Sequence, residues 1–361
     1  MRRPTPVTVT GPAAPHSAAA VVVPDVVALG ESMVTFVPSV PGRLADVPSF
    51  ERGIGGAESN LACVLAAGGH RARWVSRVGA DGFGDHLIEA IGAYGVDVAH
   101  VGRDAARPTG IYFRTAGDRA TDAHEVAYYR AGSAASAMSP ATMDPDTLRA
   151  GRILHLSGIT AALSPDCLAL LRTLLPGAPG GPLVSFDVNH RPGLWSTPED
   201  ARVLLDLARR AHLVFVGEDE AEDAFGITGG PDAVRAALPE PDLLVVKRGA
   251  DGAVAYDRDG GARHFEPAPR VDVVAAVGAG DAFAAGFLSA TLRGLPVADR
   301  LRHGHLWAAA ALTVPGDLAA PPHRDHADRL VALDAAAWGT LHLGPGWTTA
   351  HDEAAEEVRT P

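Results

Sequence analysis

The feature that most constrains this chain is a repeated alternation of short β-branched runs with longer amphipathic segments. ARWVSRVG precedes FGDHLIEAIGAYG, ILHL precedes SPDCLALLRTLL, LVSFDV precedes TPEDARVLLDLARR, HLVFV precedes EDEAEDAF, and DLLVVKRG follows. Strands separated by helices at this spacing build a mostly parallel sheet with helices on both faces, so the expected fold class is α/β. Thr197, Pro198 and Glu199 mark one helix start: a hydroxyl cap, a proline at the first helical position and an acid in the first turn.

Two stretches break the rhythm. Residues 33 to 54 and 108 to 130 carry MVTFVPS, TGIYFRTA and HEVAYYR, strand-like patterns with no helix between them. They predict a small separate β-sheet, which near the open ends of the main strands would make a lid. Residues 1 to 24 and the polar, acidic 345 to 361 read as loosely ordered tails around a single domain over 25 to 344.

Charge and composition remove several classes of function. With 31 basic against 43 acidic residues, the formal charge of −12 repels a polyanion, so no nucleic-acid partner is expected. Pro4, Pro6, Pro12 and Pro15 interrupt the segment where a secretory signal would need a continuous apolar run. No stretch reaches the ~18 apolar residues of a membrane span. Cys63 and Cys167 lie in apolar helix-like segments without pairing or metal spacing, which fits a cytoplasmic location.

The strongest local motif is Val277-Gly278-Ala279-Gly280-Asp281-Ala282-Phe283, after a β-rich run and opening the helix-like AFAAGFLSATL. Glycines permit a tight turn, and the free amides of a helix N-terminus suit an anion such as a transferring phosphoryl group. Asp281 would stand at the mouth of that hole, where a carboxylate can take the proton of an attacking hydroxyl. The same residues also suit a plain strand-to-helix turn with Asp281 as its N-cap.

GAGDAFAAGF, the block Gly55-Gly56-Ala57-Glu58-Ser59-Asn60 and the order of elements resemble the ribokinase, or phosphofructokinase-B, family of carbohydrate kinases over about residues 26 to 333. TGIYFR, YYRAGSAAS, HLSGITAALS, DVNHRPGLW and VVKRGADGA are similar to blocks of its 2-keto-3-deoxygluconate kinases. The resemblance implies a three-layer sandwich with a small β-sheet lid. It also implies ATP-dependent phosphorylation of a sugar acid, 2-keto-3-deoxygluconate to its 6-phosphate. A kinase for fructose or 5-keto-2-deoxygluconate, or a degenerate sugar-binding regulator, is the alternative.

By the same resemblance Asp281 is the catalytic base, and Gly278, Ala279, Gly280 and Asp281 form the anion hole. Gly56 and Asn60 lie under the sugar. Tyr112 and Arg114 alternate with Ile111 and Phe113 on a lid strand and so share one face; Arg114 offers the charged donor pair that a sugar carboxylate needs. Arg191 and Asp317 complete the expected sugar contacts. Asn189, Arg191, Gly217, Lys247, Arg248, Gly249, Gly252, Gly278, Gly280 and His305 are expected along ATP. Gly217 stands where the family has an asparagine, and Glu220 would hold Mg2+ through water. Ala275 stands where relatives often carry an aspartate beside a monovalent cation, with Asp272 the nearest acid, so no such cation is expected to be required. Exposed lid edges point to a homodimer or higher homo-oligomer paired through the lid.

Overall fold

The computed structural model describes residues 23–115, 125–258 and 262–349. Most of both expected tails, and residues 116–124 of the expected lid, lie outside the described residues. The first residues of the C-terminal tail are packed: Trp347 is buried in the core, its ring tilted against His326.

The five runs identified above become strands of an eight-stranded sheet, joined by three that the rhythm did not mark. In spatial order these are Arg263–Glu266, Ala253–Asp257, Leu243–Lys247, Leu213–Gly217, Leu183–Asp187, Ile153–Ser157, Val26–Leu29 and Ala72–Val75. From Leu243–Lys247 to Ala72–Val75 every pairing is parallel, and an antiparallel hairpin closes the opposite edge. Both faces are covered, which explains why the strands read as continuous apolar runs. Val26, Ala28, Leu213 and Phe215 point into one core layer, with Leu61, Phe287, Leu288 and Trp307 from the helices above. Val27, Leu29, Val214 and Val216 point into the other, against Leu170, Leu171, Leu204 and Leu207.

Because the strands are parallel, their carboxyl ends share one side of the sheet, and the connections there carry Gly30, Ser157, Asp187, Gly217 and Lys247. Open α/β sheets bind ligands on that side. The TPEDARVLLDLARR segment starts as expected: Thr197 and Asp200 form a reciprocal capping box. It then divides into two short helices, Pro198–Ala201 and Val203–Ala208.

The residues outside the rhythm form the lid, a four-stranded sheet in the order Phe50–Gly55, Met33–Pro38, Ile111–Arg114, Val126–Tyr129. One face carries an aromatic cluster. Phe36 stacks on Phe113 at 4.9 Å between ring centroids and meets Phe83 of the helix Gly82–Ala93 edge-on at 5.8 Å. The other face presents Tyr112 toward the carboxyl ends of the main sheet.

Candidate active site

Between the lid and the strand ends lies a cleft of about 750 Å³. Ala276 to Asp281 line one wall. Gly278 caps the helix Ala279–Leu292 with φ 77°, in the left-handed region. A Cβ on Gly278 would lie 2.2 Å from the carbonyl oxygen of Asp317, so only glycine fits the contact. The first intrahelical bond runs from Ala282 N to Gly278 O at 2.9 Å, which leaves the amides of Ala279, Gly280 and Asp281 ahead of it at the cleft. Asp281 is therefore the third residue of the helix and not its N-cap.

Asn60, near the start of the helix Ala57–Ala67, donates its amide to Asp281 Oδ2 at 2.9 Å. Burial raises the Asp281 carboxyl to about 7; the Asn60 hydrogen bond opposes that rise, and the charge of Asp187 adds to it. A carboxyl balanced near neutral pH can accept a proton from a hydroxyl within reach. The adjacent helix amides would stabilise negative charge on the attacked group.

At the carboxyl ends of the main strands, Lys247 Nζ bonds both oxygens of Asp187 at 3.1 Å and lies 4.0 Å from Glu220. Burial works against the ammonium charge, but Asp187 and Glu220 outweigh it and hold the lysine above its usual range. Asn189 adopts φ 41°, and its buried Oδ1 has no partner among the described residues. Arg191 is half exposed; its Nη1 donates to His190 O at 2.9 Å and makes a loose pair with Glu220 at 3.6 Å. Lys247, Asp187, Glu220, Asn189 and Arg191 all line the cleft. Glu220 also accepts from Gly217 N at 2.7 Å, closing the turn into the helix Glu218–Phe225.

At the lid end the cleft collects Gly56, Asn60, Tyr112 and Asp317, all anticipated from sequence. Arg114 is different. Its Nη2 lies 2.5 Å from Asp317 Oδ1, the ion pair is buried, and Arg114 is not among the lining residues. The Tyr112 hydroxyl donates to the other oxygen, Oδ2, at 3.1 Å; burial, reinforced by Asp317, pushes this phenol up and keeps it protonated. Arg114, expected to meet a sugar carboxylate, has its charge paired with Asp317.

Among the cleft residues that the sequence reading gave no role are Arg130, Tyr128 and Glu31. Arg130 and Tyr128 come from YYRAGSAAS, which drew notice as a block but no role. Glu31, only 2% exposed, pairs with Arg130 and accepts from Ser133 Oγ at 2.5 Å. An acidic residue directly after a buried parallel strand, at GES, was the available signal.

Five other residues expected along the nucleotide stand away from this cavity. Gly217, Arg248, Gly249, Gly252 and His305 are not among its lining residues. Arg248 closes on Glu218 at 2.7 Å. Gly252 is pressed to the main chain, where an added Cβ would stand 2.3 Å from Glu266 O. His305 is 5% exposed, packs edge-on against Phe283, and burial pushes it down to about 4.

No group of three or more His, Cys, Asp or Glu among the described residues is placed to hold a metal ion. Glu220 lines the cleft, and a magnesium ion bound largely by water and phosphate would need only such a carboxylate beside its waters.

The sequence matches the description "pfkB family carbohydrate kinase" over residues 23–324. It is 35% identical to a 2-dehydro-3-deoxygluconokinase of Bacillus subtilis over 83% of this chain and 93% of that one. It is also 35% identical to Fructokinase-1 of Oryza sativa subsp. japonica, over 73% of this chain and 81% of that one. The crystal structure of a 2-dehydro-3-deoxygluconokinase from Thermotoga maritima superposes with a TM-score of 0.76 at 25% identity, covering 85% of this chain and 99% of that one. The three-layer α/β fold with its small lid sheet is the ribokinase-like fold. The chain belongs to the pfkB family of carbohydrate kinases, which are ATP-dependent sugar phosphotransferases.

Proposed function

We propose that this kinase phosphorylates 2-keto-3-deoxygluconate on its terminal hydroxyl, giving the 6-phosphate. The observation that carries the reading is Asp281, balanced near neutrality at the mouth of three free helix amides. Asp281 takes the hydroxyl proton as the sugar oxygen bonds to the γ-phosphorus, and the bond from phosphorus to the β-bridging oxygen breaks to release ADP. The amides of Ala279, Gly280 and Asp281 stabilise the charge on the transferring group. Asn189, Arg191 and Lys247 stand along the phosphates. Magnesium, arriving with ATP, would neutralise phosphate charge, with Glu220 hydrogen-bonding its water. Lid closure excludes competing water. The Bacillus and Thermotoga relatives named above support the choice of sugar acid.

One observation favours a neutral hexose such as fructose: with Arg114 committed to Asp317, Arg114 is not available to a carboxylate. In our reading the sugar acid falls to Arg191, the most exposed guanidinium lining the cleft, whose pair with Glu220 is loose. We also propose a cytoplasmic enzyme, in keeping with two buried free cysteines, and a homodimer in which a second copy pairs along the lid edge Val126–Tyr129, where Tyr128 and Tyr129 are exposed. No helix among the described residues is long and apolar enough to cross a membrane.

An ATP-coupled screen of sugar acids against neutral hexoses tests the assignment. The acid is expected to exceed fructose in kcat/KM by at least ~10², and Asp281→Asn to lose at least ~10² in kcat. A fructose preference would transfer the activity to the rival, and near-normal turnover of the Asn variant would remove Asp281 from proton transfer.

Arg191→Met should raise KM for the acid by about tenfold to a few hundredfold, the ~1.5 to 3 kcal/mol of a charge-assisted bond. Arg114→Met should change acid and neutral sugars alike, within about threefold of each other, because it acts behind Asp317. A selective loss of the acid in Arg114→Met would restore that residue as the carboxylate partner.

Potassium should be dispensable. Ala275 supplies no side-chain oxygen, and the Asp272 carboxylate is held by His342 at 2.9 Å. Replacing potassium by a bulky organic cation at constant ionic strength should leave initial rates within about threefold; a loss above about tenfold would contradict this.

A further inference from the structure

Glu58 has no part in the chemistry described so far, yet it is completely buried beside the cleft. It is the second residue of the helix Ala57–Ala67. Its Oε1 accepts from Ser157 Oγ at 2.7 Å and from Thr160 Oγ1 at 2.9 Å, both side chains fully buried. Its Oε2 has no partner among the described residues. On the remaining side the carboxyl lies flush against Gly30: a Cβ there would stand 2.0 Å from Glu58 Cδ and 2.3 Å from each oxygen. A buried carboxyl with no cation on it is costly to keep, and burial pushes it above the usual carboxylate range.

Three segments meet at this carboxyl, and each carries cleft residues a few positions away. Gly30 precedes Glu31, which holds Arg130. Ser157 and Thr160 flank Ile159 at the start of the helix Gly158–Leu163, whose Ile159, Ala162 and Leu163 line the cleft. Asn60, two residues after Glu58, donates to Asp281. The amide of Asn60 has no second anchor, because its Oδ1 is buried without a partner among the described residues. The direction of that amide therefore depends on where the first helical turn is fixed, and Glu58 ties that turn to the two neighbouring strand ends.

We infer that Glu58 is a positioning residue for phosphoryl transfer: its carboxyl locks the first turn of the helix Ala57–Ala67 so that Asn60 holds Asp281 toward the sugar hydroxyl. This rests on the proposed role of Asp281. Glutamine preserves the acceptor for Ser157 and Thr160 and nearly the same shape, whereas leucine removes the acceptor.

The test is a double-mutant cycle on the full-length enzyme with 2-keto-3-deoxygluconate and ATP, normalised to folded protein by thermal unfolding. Glu58→Leu should lower kcat by about tenfold or more with KM for ATP within about threefold, and Glu58→Gln should recover to within about threefold of wild type. In an Asn60→Leu background, Glu58→Leu should cost less than about threefold further. Should Glu58→Leu not fold, Thr160→Val, which removes one hydroxyl donor, takes its place and should lower kcat by about threefold or more only when Asn60 is present. Equal losses with and without Asn60, or unchanged kcat in Glu58→Leu or in the Thr160→Val that replaces it, would overturn the inference. Failure of the underlying reading is separately visible as near-normal turnover of Asp281→Asn.

Discussion

The hydrogen bond from Asn60 to Asp281 joins residues 221 positions apart in sequence, and the active site depends on it. Asp281 belongs to the helix Ala279–Leu292 and Asn60 to the helix Ala57–Ala67, which pack side by side on one face of the sheet. The bond forms only when both ends of the fold are assembled, and among the described residues it is the one side-chain hydrogen bond that favours the charged form of a carboxyl that burial disfavours. A proton acceptor with a pKa near the working pH follows from that opposition.

Charge in the cleft is managed by pairing. Arg114 is held by Asp317, Arg130 by Glu31 and Lys247 by Asp187, so much of the positive charge is fixed before any ligand arrives. Such pairs fix geometry more than they add stability, because desolvation offsets much of their attraction. The Asp317 pair has the further effect of linking lid to anion hole. Its carboxylate is gripped by Tyr112 and Arg114 of the lid, while its carbonyl abuts Gly278. The lid strand and the helix turn ahead of Asp281 are thereby joined through a single residue.

Much of this was legible in sequence for physical reasons. Strands buried on both faces read as apolar runs, the capping chemistry of Thr197 is local, and Gly278 with Asp281 marks a turn that few other residues can make. What stayed illegible was which side chains satisfy one another across the fold. Arg114 reads as a free cation until Asp317, 203 positions away, is placed against it. His305 reads as an ATP contact, and nothing in its own segment announces Phe283 and Glu266, which enclose it. Arg130 carried no signal beyond its block, because the carboxylate that holds it lies 99 positions away at Glu31. The packing of Trp347 similarly depends on a distant helix that its acidic sequence surroundings do not announce.

The most direct test of Asp281 as the tuned proton acceptor is the pH dependence of kcat/KM at saturating magnesium, for the wild type and for Asn60→Leu. The ionised carboxylate is the active form, so the rate should rise with pH through a midpoint near 7, the position to which burial raises Asp281. Losing the Asn60 donor removes support for the charged form, so the midpoint should move to higher pH in the variant. A profile flat between about pH 5.5 and 8.5, or a midpoint unmoved by Asn60→Leu, would contradict the account.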